Sequence, residues 1–127
     1  MRHWRIVVAL LAGALLPATA VAAGPPRGVY ECYETRMNAR MQLTFEVRPV
    51  VMFGLIDGTT YSDYDGKLGH YSYDAGAGML TMTDGSRQGW RYKQVAEWSF
   101  RMLDQAGKDS PYTCPLNAAK DPLKHPW

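Results

Sequence analysis

The chain has 127 residues, of which 46% are hydrophobic, 20% charged and 12% aromatic, with two cysteines and a formal net charge of +2. That length supports one compact domain, and the apolar content excludes a disordered chain. Neither the 12 glycines nor the 8 prolines recur with the period of a repeat or fibrous protein.

Met1 to Arg5 carries Arg2 and Arg5, followed by an unbroken apolar run from Ile6 to Leu16, then Pro17 and the small-residue stretch Ala18 to Ala23. This is the pattern of a secretory signal peptide over residues 1–23. The run is too short for the ~20 apolar residues that a spanning helix needs, so no stable membrane anchor is expected. Small residues allow cleavage after Ala20, Ala22 or Ala23, with Ala23 favoured. No cysteine follows the run to carry a lipid, and Arg2 and Arg5 are not an adjacent pair. A periplasmic or secreted protein is expected, with residues 24–127 as one domain. Removing Arg2 and Arg5 from the 14 basic residues leaves 12 against 12 acidic ones. The near-neutral balance excludes nucleic acid as the main partner and any polybasic membrane patch.

Beyond Gly24-Pro25-Pro26, apolar and polar residues alternate in short runs separated by turn residues, the period of strands. From Met41 to Arg48 the apolar Met41, Leu43, Phe45 and Val47 alternate with Gln42, Thr44, Glu46 and Arg48, which predicts one core face and one wet face. Pro49 ends that run. Val50 to Ile56 is continuously apolar and reads as a strand buried on both faces, and Asp57-Gly58 is a hairpin turn signal.

Further strands are predicted at Thr59 to Ser62, Gly69 to Tyr73, Met79 to Thr83, Gln88 to Val95 and Glu97 to Leu103, with a short run at Tyr112-Thr113-Cys114. Each is short for a helix, although Lys93 to Leu103 also fits a helical face. The tail from about residue 115, with prolines at 115, 122 and 126, shows no strand or helix pattern. About eight short strands with tight turns predict an all-β fold, a small antiparallel up-and-down barrel, since closure removes exposed edges. A two-sheet sandwich is the alternative.

Cys32 and Cys114 stand near the two ends of the folded body. In an exported chain they are expected to form a disulfide that closes the barrel, rather than a zinc site or a nucleophile. Neither a metal nor a cofactor is called for by any motif.

The segment Ser62-Asp63-Tyr64-Asp65-Gly66 has the middle of a calcium loop, but the EF-hand register places Tyr61 and Ser72 where carboxylates are required. A polar turn is the better reading. Beyond the leader only His70 and His125 remain, and acid-base work by His70 would need Asp63 or Asp65 within hydrogen-bond reach. No hydrolase, phosphate-loop or zinc-protease motif occurs, so no catalytic residue is assigned and no enzyme is expected. The composition is unusual in tyrosine, with eight, joined by Trp90, Trp98 and Trp127. Rings with polar tips suit a ligand-cavity mouth, which nominates Tyr30, Tyr61, Tyr71, Tyr73, Trp90 and Trp98 as ligand-binding residues, although strands favour tyrosine in any case.

Gly28-Val29-Tyr30 on the first strand, followed by a meander, resembles the Gly-x-Trp start of lipocalin-like barrels, with Tyr in place of Trp. Tyr30-Glu31-Cys32 and Asp57-Gly58-Thr59-Thr60-Tyr61 are similar to the Tyr-x-Cys strand and Ser-Gly-x-x-Tyr loop of small periplasmic inhibitors of c-type lysozyme, with Asp57 replacing the serine. The first likeness implies a non-catalytic barrel that binds a small apolar or aromatic ligand or serves an envelope role. The second implies an extracytoplasmic protein partner, met by the Asp57 to Tyr61 loop. Oligomeric state is open at this level.

Overall fold

The computed structural model describes residues 24–127, so the predicted leader lies outside the described residues. Ten strands form one antiparallel sheet: β1 (Gly28–Tyr30), β2 (Tyr33–Met37), β3 (Leu43–Val47), β4 (Phe53–Leu55), β5 (Thr60–Asp63), β6 (Leu68–Asp74), β7 (Met79–Met82), β8 (Arg91–Ala96), β9 (Ser99–Leu103) and β10 (Asp109–Asn117). Eight of them close into a barrel in the order β1-β4-β5-β6-β7-β8-β9-β10, with Val29 opposite Asn117 and Tyr30 opposite Leu116 at the seam. The all-β barrel is as expected, and the helical option for Lys93 to Leu103 is replaced by the β8–β9 hairpin.

The remaining pair, β2 and β3, extends beyond the barrel wall. β10 is long enough to be shared. Its C-terminal part pairs with β1, and its middle pairs with β2 through Tyr112 opposite Glu34 and Thr113 opposite Tyr33. Where β1 bends into β2, the amide of Glu31 donates to the Pro115 carbonyl at 3.0 Å and Cys32 is bonded to Cys114. The expected disulfide thus lies at the point where the hairpin leaves the barrel, both cysteines being fully buried.

The interior is filled by aromatic rings. Tyr30 stacks on Phe53 with centroids 4.9 Å apart, Phe53 lies 4.5 Å from Tyr92, and Phe100 meets Tyr30 edge-on at 5.3 Å. Val29, Leu55, Leu80 and Met82 complete this core.

Four expectations are corrected. The face of Leu43, Phe45 and Val47 is exposed rather than core, because β3 belongs to the extension and has no layer over it. Met41, expected in that strand, is in the preceding turn at φ 61°. The apolar stretch from Val50 is a 3-10 turn at Pro49–Val51 followed by the buried strand Phe53–Leu55, because Pro49 starts a turn more readily than a strand. The irregular tail begins after Asn117 rather than at 115, since Pro115 continues β10 opposite Ser99 with its backbone turned away from β9, so its missing amide costs no bond to that strand. That tail packs back on the barrel. Pro122 and Trp127 lie over Gly54, where a Cβ would come within 2.7 and 2.9 Å of them.

Candidate functional site

The hairpin is built by local chemistry. The Asn38 side-chain oxygen accepts from the amides of Arg40 and Gln42, each at 2.9 Å, which closes the turn between β2 and β3. Tyr33, Thr35 and Met37 then stand opposite Val47, Phe45 and Leu43. Strand alternation puts all six on one face. Met37, Met41, Leu43, Phe45 and Val47 are 50–79% exposed, and Phe45 with Tyr33, Thr35, Thr113 and Pro115 lines a shallow apolar groove of about 390 Å³.

The opposite face is ionic. Glu34 is gripped by Arg36 at 2.9 Å and Arg48 at 2.6 Å, and Arg48 also reaches Glu46 at 2.9 Å. The hydrogen bond from Arg36, then that from Arg48, outweighs desolvation and holds the Glu34 carboxyl below its usual value. One face of the hairpin is therefore self-satisfied, while the other presents apolar side chains to water.

The six aromatic residues nominated from the sequence do not gather into one site. Tyr30, Tyr61 and Tyr71 are core residues, Tyr73 and Trp90 are half-buried, and Trp98 is exposed at the β8–β9 turn. The core hydroxyls serve the fold. Tyr30 donates to the Pro26 carbonyl at 2.7 Å, Tyr61 to Asp84 at 2.7 Å, and Tyr71 to Asp57 at 2.5 Å. Tyr73 bonds the Gln94 side chain. Trp90 borders a surface groove of about 560 Å³ with Gln88, Met102, Leu103 and Tyr112, and its ring lies 4.8 Å from the Arg87 guanidinium.

Arg87 was not singled out from the sequence. It is buried at one end of the barrel, where its guanidinium donates to the carbonyls of Val50, Val51 and Met52. Asp63 beside it accepts from the amides of Asp65 and Lys67, both at 2.9 Å, and from Ser86 Oγ at 2.5 Å. Burial works against the charged carboxylate, but Ser86, those amides and the Arg87 charge prevail and hold Asp63 below its usual value. The calcium-loop-like segment is thus a turn organised by Asp63.

Two histidine contacts come from tertiary structure. His70 Nδ1 meets Asp84 Oδ2 at 2.8 Å, in place of Asp63 or Asp65, and both side chains are exposed. Among the described residues, no serine or cysteine joins them in the groove they border with Thr60, Leu68, Gly69 and Gly85. His125 Nε2 lies 2.9 Å from Ser62 Oγ, a spacing that resembles a nucleophile and its base. Ser62 is fully buried and also donates to the Asp63 carbonyl at 3.1 Å, so the contact fastens the tail to the barrel. Among the described residues, no group of three His, Cys, Asp or Glu side chains is placed to hold a metal ion.

The Asp57 to Tyr61 loop is a tight turn. Asp57 Oδ1 accepts from the amides of Thr59 and Thr60 at 2.9 and 2.8 Å, and Tyr61 is turned into the core. No protein-family model matches the chain, and no curated protein or solved structure shows a significant match to it.

Proposed function

We propose that this protein is a non-catalytic exported binding protein that engages another protein chain through the β2–β3 hairpin. The carrying observation is the exposed apolar face of Met37, Leu43, Phe45 and Val47 on a strand pair held outside the barrel. A contiguous exposed apolar surface of this kind marks interaction sites, and a free strand edge beside it suits strand addition by a partner. A ligand-carrying barrel is less favoured, because Tyr30, Phe53, Tyr92 and Phe100 fill the interior against one another. The lysozyme-inhibitor reading is less favoured too, because Tyr61 is buried and the Asp57 carboxylate is engaged by the amides of Thr59 and Thr60.

The test is site-specific photo-cross-linking in the exporting cell, with a benzophenone side chain at position 45 or at position 93. A discrete protein adduct from position 45 and none from the barrel wall at 93 is the expected result. Equal labelling at both positions, or none at either, would overturn the proposal.

A further inference from the structure

We propose that the hairpin's partner is a second copy of this chain, joined by antiparallel pairing of β3 with its own counterpart about Phe45. This rests on the protein-binding reading above and names its occupant.

Among the described residues, topology leaves one open edge. Each other described strand is paired on both sides, whereas β3 pairs with β2 alone. The Arg48 amide donates to the Cys32 carbonyl and the Asn38 amide to Gln42, so even-numbered β3 residues turn their backbone groups toward β2. Alternation then aims the N–H and C=O groups of Leu43, Phe45 and Val47 outward, where no described group meets them. These are also the residues with exposed apolar side chains.

A strand that pairs with its own copy must be self-complementary under two-fold rotation. Centred on Phe45, the pairing sets Leu43 opposite Val47 of the second copy and Phe45 opposite Phe45. The other face sets Thr44 opposite Glu46 and Gln42 opposite Arg48, so no like charges oppose. The neighbouring registers with the same backbone parity fail this criterion. Centring on Glu46 opposes two Glu46 carboxylates, and centring on Thr44 opposes Arg48 to Arg40. Like charges directly opposite destabilise a strand pair, so charge selects the register that also matches all three apolar pairs.

The experiment uses the purified, disulfide-intact protein. In the proposed pairing the two Phe45 Cα atoms are about 5.5 Å apart, within reach of a disulfide, whereas face-to-face sheet packing would leave about 10 Å. Phe45→Cys is expected to oxidise to a covalent dimer at least tenfold faster than Val95→Cys, an exposed position on β8. Leu43→Cys mixed with Val47→Cys is expected to cross-link, and neither alone. Wild-type protein should sediment at twice the chain mass, and Phe45→Lys, with an unchanged circular dichroism spectrum, at the chain mass. A wild-type monomer at millimolar concentration, or equal cross-linking of Phe45→Cys and Val95→Cys, would overturn the second-copy proposal. The mass of the photo-adduct from position 45 separates the two proposals: twice the chain mass supports both, a different protein keeps only the hairpin reading, and no adduct with a monomer removes both.

Discussion

Tyrosine hydroxyls and one arginine hold the barrel's polar groups in register. Burial, first among the causes, pushes Tyr71 and Tyr92 up to about 12 from 10.0. A raised folded value means that their stabilising contribution is full below pH 10 and is lost as pH rises through 12. Urea midpoints should therefore fall between pH 10 and 12, and Tyr71→Phe should flatten that fall. An equally steep fall in the variant would show that other groups govern alkaline unfolding. Arg87 donates to three carbonyls, and Arg87→Leu leaves those of Val50 and Met52 without that donor while Val51 keeps the Tyr92 hydroxyl at 3.3 Å. A loss of about 2–4 kcal/mol is expected in urea unfolding at pH 7, and an effect under 0.5 kcal/mol would mean that water or backbone shifts satisfy those carbonyls.

Two elements differ in what covers them. The outer face of β4 at Gly54 is covered by Pro122 and Trp127, and this close approach requires a glycine. Gly54→Ala should lift the tail, seen as a shift of the Trp127 indole resonance and loss of protection around Ser62. An unmoved resonance would show that the tail accommodates the methyl. The face of β3 has no such cover. In a Phe45→Lys monomer the amides of Leu43, Phe45 and Val47 should exchange fast while those of Thr44 and Glu46, turned toward β2, stay protected. Uniform protection along β3 would contradict the free edge.

For the whole molecule, the disulfide joins residues 82 apart and ties the first strands to the last. In the chain-entropy model such a loop contributes about 4 kcal/mol, a large share of the ~5–15 kcal/mol typical of a domain. Replacing both cysteines by alanine should lower stability by roughly that amount and loosen the hairpin first, since Cys32 sits at its root. A loss below 1 kcal/mol would show that the barrel seam alone holds the ends together.

Strand chemistry, turn residues and the cysteine pair were legible in the chain, because alternation and Asp-Gly pairs act locally and two cysteines allow one covalent bond. The Leu43, Phe45 and Val47 alternation was legible too, yet its meaning was not. Period two says that one face is apolar, but only the partition of the β10 edge between β1 and β2 decides whether anything lies over that face. The buried Arg87, the His70–Asp84 pair and the Ser62–His125 contact join residues 14 to 63 positions apart. No spacing rule along the chain reaches that far. The β6–β7 register, the turns at one end of the barrel and the returning tail place these groups together, and each depends on how the strands are assembled. The candidate site follows the same logic, since it lies where two strands were left outside the closed ring with one apolar face and one edge unpaired.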